Sequence, residues 1–132
     1  MIEKARDFLI EKLKPDFLML FGSYATGHTH PESDLDIAFY KASHQLSAYD
    51  VFMLAQELAS IIKVDVDLID LNESSTVFRA QIFSTGRSIY VASQFVFDQF
   101  RMHAMSMYAN LDIERKDILK SIIKRGTVYD RK

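Results

Sequence analysis

The chain contains no cysteine, which removes thiol catalysis, zinc–thiolate sites and disulfides and is compatible with a reducing cytoplasm. It has no polybasic run: 16 Lys and Arg stand against 18 Asp and Glu, a net charge of −2. A protein that grips a phosphate backbone needs a concentrated positive patch, so a nucleic-acid partner is not expected. No apolar stretch reaches the ~20 residues of a membrane span. The N-terminus reads as a helix of mixed charge rather than a signal peptide. Internal repeats, low-complexity segments and composition shifts that would mark a linker are missing too. At 132 residues, the expectation is one small cytoplasmic domain, able to build a two-layer core but too short for two separate domains.

What the chain does contain is an apolar run, Phe17 to Phe21, followed by Gly22-Ser23, a loop and Asp34-Leu35-Asp36. The run suits a buried strand, and at Gly22 the missing Cβ lets a ligand approach the backbone. Backbone N–H groups and the Ser23 hydroxyl, where strand gives way to a turn or short helix, are the groups that cradle phosphate oxygens. Gly27, Thr29, Pro31 and Ser33 fill the connection with turn residues. Extended structure then returns at Asp34 to Phe39, where a period of two sets both aspartates on one face and Leu35 and Ile37 on the other. Two like charges about 4 Å apart repel by roughly 4 kcal/mol at an effective dielectric near 20. A cation between them removes that cost, and hard oxygen ligands suit magnesium or manganese. A bare Asp-x-Asp also suits the wet face of an edge strand, so the preceding Gly-Ser matters.

Gly22-Ser23, ten residues and Asp34-x-Asp36, on two strands joined by a turn-rich loop, resemble the signature of the nucleotidyltransferase superfamily with the DNA polymerase β type of fold. The resemblance implies an α+β fold, a small mixed or antiparallel sheet packed with helices and followed by a C-terminal helical segment. Lys63 to Leu71 alternates as a third strand with its own acids, and both Asp65 and Asp67 face the right way to supply a third carboxylate. The family has a Val-Asp-Leu-Val-Asp-Leu-like strand here; Val66-Asp67-Leu68-Ile69-Asp70-Leu71 looks like it, which favours Asp67, with Asp65 as the alternative. Asp70, near the strand's end, reads as a local cap. By the resemblance, Asp34, Asp36 and Asp67 hold two magnesium ions, with manganese possible, and Gly22 and Ser23 grip the distal phosphates of ATP.

Size and tail together look most like the minimal nucleotidyltransferases, over residues 17 to 91 and more loosely beyond. Within these, the MntA-type antitoxins of HEPN/MNT toxin–antitoxin pairs use ATP to attach AMP to a tyrosine hydroxyl of a cognate HEPN ribonuclease toxin. That implies a protein partner in a hetero-oligomeric complex, consistent with a domain that has no acceptor module and no nucleic-acid surface. Many relatives carry arginine where this chain has Thr26. An aminoglycoside-type nucleotidyltransferase would need an acidic pocket, usually from an added C-terminal domain; a non-catalytic antitoxin would not need the intact Gly-Ser and acids.

Elsewhere, Ile2, Ala5, Leu9 and Leu13 predict a helix over residues 2–13, ending before Pro15. Ser47 caps a helix of about 48–62 with Val51, Leu54, Leu58 and Ile61 as its apolar stripe. Asn72 to Ser75 offer N-caps for a short helix through Val77, Ala80 and Phe83/Ser84, closed by Gly86 as C′, and Ile89 to Val91 form a last strand. Arg79 and Arg87 could reach a triphosphate, although Arg87 also reads as a surface cation. Residues 1–91 are assigned to catalysis, and 92–132 to a helical extension of the same compact unit. Phe97, Phe100, Ala104, Met107 and Leu111 form its stripe, before a break near Asn110 to Asp112 and a second segment with Ile118, Ile122 and Ile123. The stripe reads mainly as core, with part of it able to dock a partner. The tail from Arg125 is expected to fray. His28, His30, His44 and His103 are scattered, and the first two read as loop polarity.

Overall fold

The computed structural model describes residues 1–43 and 46–129, leaving aside the side chains of residue 112 and of 117 onward. His44, the Ile118, Ile122 and Ile123 side chains and residues 130–132 of the tail lie outside the described residues. Helix α1 (Ile2–Leu13) ends on Lys14 in the left-handed region (φ 48°), ahead of Pro15. Strand β1 (Phe17–Phe21) follows, then the single helical turn α2 (Ser23–Thr26) and strand β2 (Leu35–Tyr40). Helix α3 (Ala48–Ile62) leads to strand β3 (Val66–Asp70) and a 3-10 turn at Leu71–Glu73. Helix α4 (Thr76–Thr85), strand β4 (Arg87–Val91) and the long helix α5 (Gln94–Tyr129) complete the chain.

The strands form a mixed sheet in the order β3-β2-β1-β4. β1 pairs antiparallel with both β2 and β4, whereas β2 and β3 run parallel. β1 is interior and covered on both faces, which is why Phe17 to Leu20 are all apolar and buried rather than alternating. Leu18 and Leu20 join α1, α3, Leu35, Ile37 and Phe39 in one core layer. Phe17 and Met19 face the other way and join Ala38, Leu71, Ile82, Phe97 and Phe100, so α4 and the start of α5 cover the second face. Phe17 is the hub of that layer, its ring centroid 5.0 Å from Phe97, 5.5 Å from Tyr40, 5.6 Å from Phe100 and 6.0 Å from Phe83.

Several expectations change. Ile61 is exposed, and the buried ridge of α3 runs through Ala55 and Leu58, with Val51, Leu54 and Ile62 packed beside them. On α4 the inward side is Phe78, Ala80, Ile82 and Phe83, while Val77 and Ser84 face out. β3 starts only at Val66, because Lys63 caps α3 in the left-handed region (φ 62°). Gly86 ends α4 in extended rather than left-handed backbone (φ −89°), and a Cβ there would lie 2.6 Å from the carbonyls of both Ile82 and Leu20. Its glycine therefore serves close packing of backbone on backbone. α5 passes through Asn110 to Asp112 without a break and continues to Tyr129, past Arg125. Asn in a helix interior costs only ~0.7 kcal/mol or less relative to Ala, too little to stop a helix without Pro or Gly nearby. Met107 is exposed, whereas Phe97, Phe100 and Ala104 face inward and Leu111 is half-buried.

Removing the hub ring is expected to be severe. Phe17→Ala should lower unfolding free energy by about 3–5 kcal/mol, the usual range for a buried Phe. Urea denaturation would show this as an earlier midpoint with an unchanged slope.

Candidate active site

β1 delivers the chain to Gly22, whose backbone (φ 70°, ψ −155°) lies where a side chain is strained. A Cβ at Gly22 would also fall on the Asp36 carboxylate, 3.0 Å from Cγ. Glycine thus provides both the turn and the room for Asp36. The α2 turn is held by Ala25 N and Thr26 N donating to Gly22 O at 3.1 and 3.2 Å, and Gly27 N donating to Ser23 O at 2.9 Å. Such a turn leaves its first amides without carbonyl partners of its own.

The acids are placed by pairing. Phe21 stands opposite Asp36, and Asp36 stands opposite Asp67, so the Gly22 turn, Asp36 and Asp67 follow one another across three adjacent strands. Asp34 sits one residue before β2 and is exposed. Ser33 fixes that approach: its Oγ accepts from His30 N at 2.8 Å, and its own N–H donates to His30 O at 2.9 Å. Burial, followed by the charges of Asp67 and then Asp34, pushes the Asp36 carboxyl up to about 6. Asp65 does not contribute to that shift. Its carbonyl accepts from Leu35 N at 2.8 Å, one register step away from Asp36. Among the described residues, no three acidic or imidazole side chains gather closely enough to enclose a cation alone. An open edge of carboxylates is the donor set that magnesium shares with substrate phosphates and water, rather than a closed protein cage.

A hollow of about 350 Å³ opens beside these groups, lined by Gly22, Thr26, Asp36 and, from α4, Phe78, Gln81 and Thr85. The α4 residues were not singled out from sequence; Gln81 and Thr85 are four apart on one helix face, a signal readable once α4 is placed over the sheet. The Thr26 hydroxyl lies 3.4 Å from the carbonyls of both Gly22 and Ser23 and 3.1 Å from His28 Nδ1, so at this position the side chain serves the loop and brings no charge of its own. Arg79 is committed elsewhere: Nε donates to Leu71 O at 2.8 Å, Nη2 to Asn72 O at 3.2 Å, and its guanidinium stacks on Phe100. Arg87 is exposed at the β4 end, opposite Leu20. Asp70 caps the 3-10 turn, accepting from Asn72 N at 2.9 Å, and burial raises its carboxyl. His28 and His30 make loop bonds, to Thr26 Oγ1 at 3.1 Å and from Glu32 N at 3.2 Å, as the reading of loop polarity requires.

The family described as Polymerase beta, Nucleotidyltransferase matches residues 3–95. The chain belongs to this nucleotidyltransferase family. The protein adenylyltransferase MntA of Shewanella oneidensis is 37% identical over 110 residues, covering 83% of this chain and 78% of that protein. A crystal structure of a toxin–antitoxin with AMP-PNP aligns with a TM-score of 0.81 at 34% identity, covering 93% of this chain and 99% of that one. A structure of tri-AMPylated Shewanella oneidensis HEPN toxin in complex with MNT antitoxin aligns with a TM-score of 0.72 at 31% identity, covering 93% and 99%. The four-stranded mixed sheet, its helices and the C-terminal helix thus have the nucleotidyltransferase fold.

A crowded acid destabilises the metal-free fold. Because the Asp36 carboxyl titrates near 6 when folded, against 3.8 ordinarily, the folded state holds the proton more tightly, and stability falls as pH rises through that window. Asp36→Asn in EDTA should therefore be more stable than the parent at pH 7, with the gap closing towards pH 4. Denaturant midpoints across that range are the measurement, and a gap independent of pH would contradict the charge origin.

Proposed function

We propose that this nucleotidyltransferase is the antitoxin of a HEPN/MNT pair and moves AMP from ATP to a tyrosine hydroxyl of its HEPN toxin, neutralising it. The observation carrying this is Asp36 held in register between the Gly22 turn and Asp67. Its MntA relative is a protein adenylyltransferase, and one similar structure contains an AMPylated HEPN toxin. Gly22 and Ser23 bind the distal phosphates of ATP. Asp34, Asp36 and Asp67 would hold two magnesium ions, or manganese in their place, and the charge pressure on Asp36 fits that use. When bound, the metal supplies positive charge against the phosphates and the reacting oxygens. The tyrosine oxygen forms a bond to the α-phosphorus while the bond from that phosphorus to the bridging oxygen breaks. Pyrophosphate carries away the electron pair, and Asp67 takes the hydroxyl proton.

Residues 1–91 form the catalytic part of this reading and 92–132 the partner-docking extension. Phe95, Met102 and Ile113 on α5 are 73%, 65% and 57% exposed, apolar and adaptable surface that suits a protein partner. No helix among the described residues is long and apolar enough to cross a membrane. The reaction is assigned to the cytoplasm, where ATP and a ribonuclease toxin meet.

Asp36→Ala should slow transfer by on the order of a thousandfold, about 4 kcal/mol of barrier, by removing one of the carboxylates that would hold the metal. Incubating the purified pair with ATP and magnesium and recording intact masses would show AMP added by the parent and almost none by the variant. A rate within tenfold of the parent would sink the assignment, and EDTA should stop the parent.

A further inference from the structure

The order of the strands gives the proposed reaction a direction. β1, which leads into Gly22, then β2 with Asp36, then β3 with Asp67 lie side by side, and β3 is the sheet's edge. Displacement at phosphorus places entering and departing oxygens roughly in line, on opposite sides of the reacting atom. With the departing pyrophosphate held on the β1 side, the entering hydroxyl has to come from the β3 side.

A hollow of about 850 Å³ lies there. Leu68 and Ile69 of β3, Val51 and Phe52 of α3, and Phe78 of α4 form its apolar walls. Phe78 also walls the smaller hollow that contains Gly22 and Asp36, so the two cavities meet at one ring. Ile69 is two residues beyond Asp67 on the same strand face, about 7 Å along it. Two charged residues line the large hollow, Asp70 and Glu73, and both are acids. That sign repels a triphosphate and favours a basic peptide. Phe52, in its wall, is 58% exposed, and Tyr49, one turn earlier on α3, is 69% exposed, apolar surface of the kind that marks protein contact.

We propose that this hollow receives the acceptor segment of the partner protein. An extended stretch lies along the β3 edge, its apolar side chains against Phe52 and Phe78 and a basic side chain towards Asp70 and Glu73, with the tyrosine hydroxyl beside Asp67. Edge strands take up such segments through their unpaired backbone groups. The inference rests on the reading that a protein hydroxyl is the acceptor; the bond changes are those of that transfer, with the proton going to Asp67 and pyrophosphate departing.

The test is steady-state AMP transfer by the full chain to its HEPN partner, varying partner and ATP separately. Phe52→Glu, at an exposed position, and Glu73→Lys should each lower kcat/KM for the partner at least tenfold, mainly through a higher KM for the partner. KM for ATP should stay within twofold, and Phe52→Leu should restore most of the loss. A rise in the KM for ATP that matches the loss would mean that the hollow holds the nucleotide base, and unchanged transfer by both charge variants would mean that the acceptor enters elsewhere; either overturns the inference while the transferase reading survives. No transfer by the parent chain would sink that reading, and this inference with it.

Discussion

Two rows of backbone hydrogen bonds, β1 with β2 and β2 with β3, hold the candidate site together. They set Phe21 opposite Asp36 and Asp36 opposite Asp67, so the Gly22 turn and the acids are neighbours because the ladders make them so. A slip of one residue in either pairing would carry an acid to the other face of the sheet. The register is pinned by burial: Leu35, Ile37 and Phe39 on one face and Ala38 on the other are each almost completely enclosed. The α1/α3 layer and the α4/α5 layer therefore act on the site indirectly, by making any other pairing bury the wrong residues.

The same placement works against the fold. Asp36 is partly withdrawn from water and faces two further carboxylates, and its raised titration point reflects that pressure. Gly22 adds to it, since its unusual backbone and missing Cβ are what let the acid come so near the chain. Aromatic packing around Phe17, within one β-strand of these groups, supplies rigid apolar contact on the face that the acids share. Strain and like charge at the end of the sheet, with a close-packed layer immediately behind, are the arrangement expected where function rather than stability has chosen the residues.

Much of this was legible in the sequence, for identifiable reasons. The apolar run of β1, the alternation in β2 and β3 and the Ser47 and Ser75 caps are local signals, and each appears in the structure. Alternation left Asp65 and Asp67 equivalent, because it fixes a face and not a register; only the parallel pairing puts Asp67 beside Asp36. Arg79 was ambiguous for the same reason, its bonds to Leu71 and Asn72 depending on how the 3-10 turn folds back on α4. Gly86 read as a helix-ending glycine, yet its need comes from the Leu20 carbonyl of a distant strand. The walls at Phe78, Gln81 and Thr85 could not be read at all, since nothing local says which side of α4 lies over the acids.

Phe78 has a consequence of its own. Its ring meets Phe21 edge-on at 5.6 Å and forms a partition between the chamber of the acids and the larger one beside β3. A partition is felt from both rooms, so whatever free energy one occupant contributes by steadying the ring is available to the other in equal measure. If nucleotide and acceptor occupy the two hollows as proposed, they would be thermodynamically linked through a single aromatic side chain, and neither affinity would be a property of its own chamber alone.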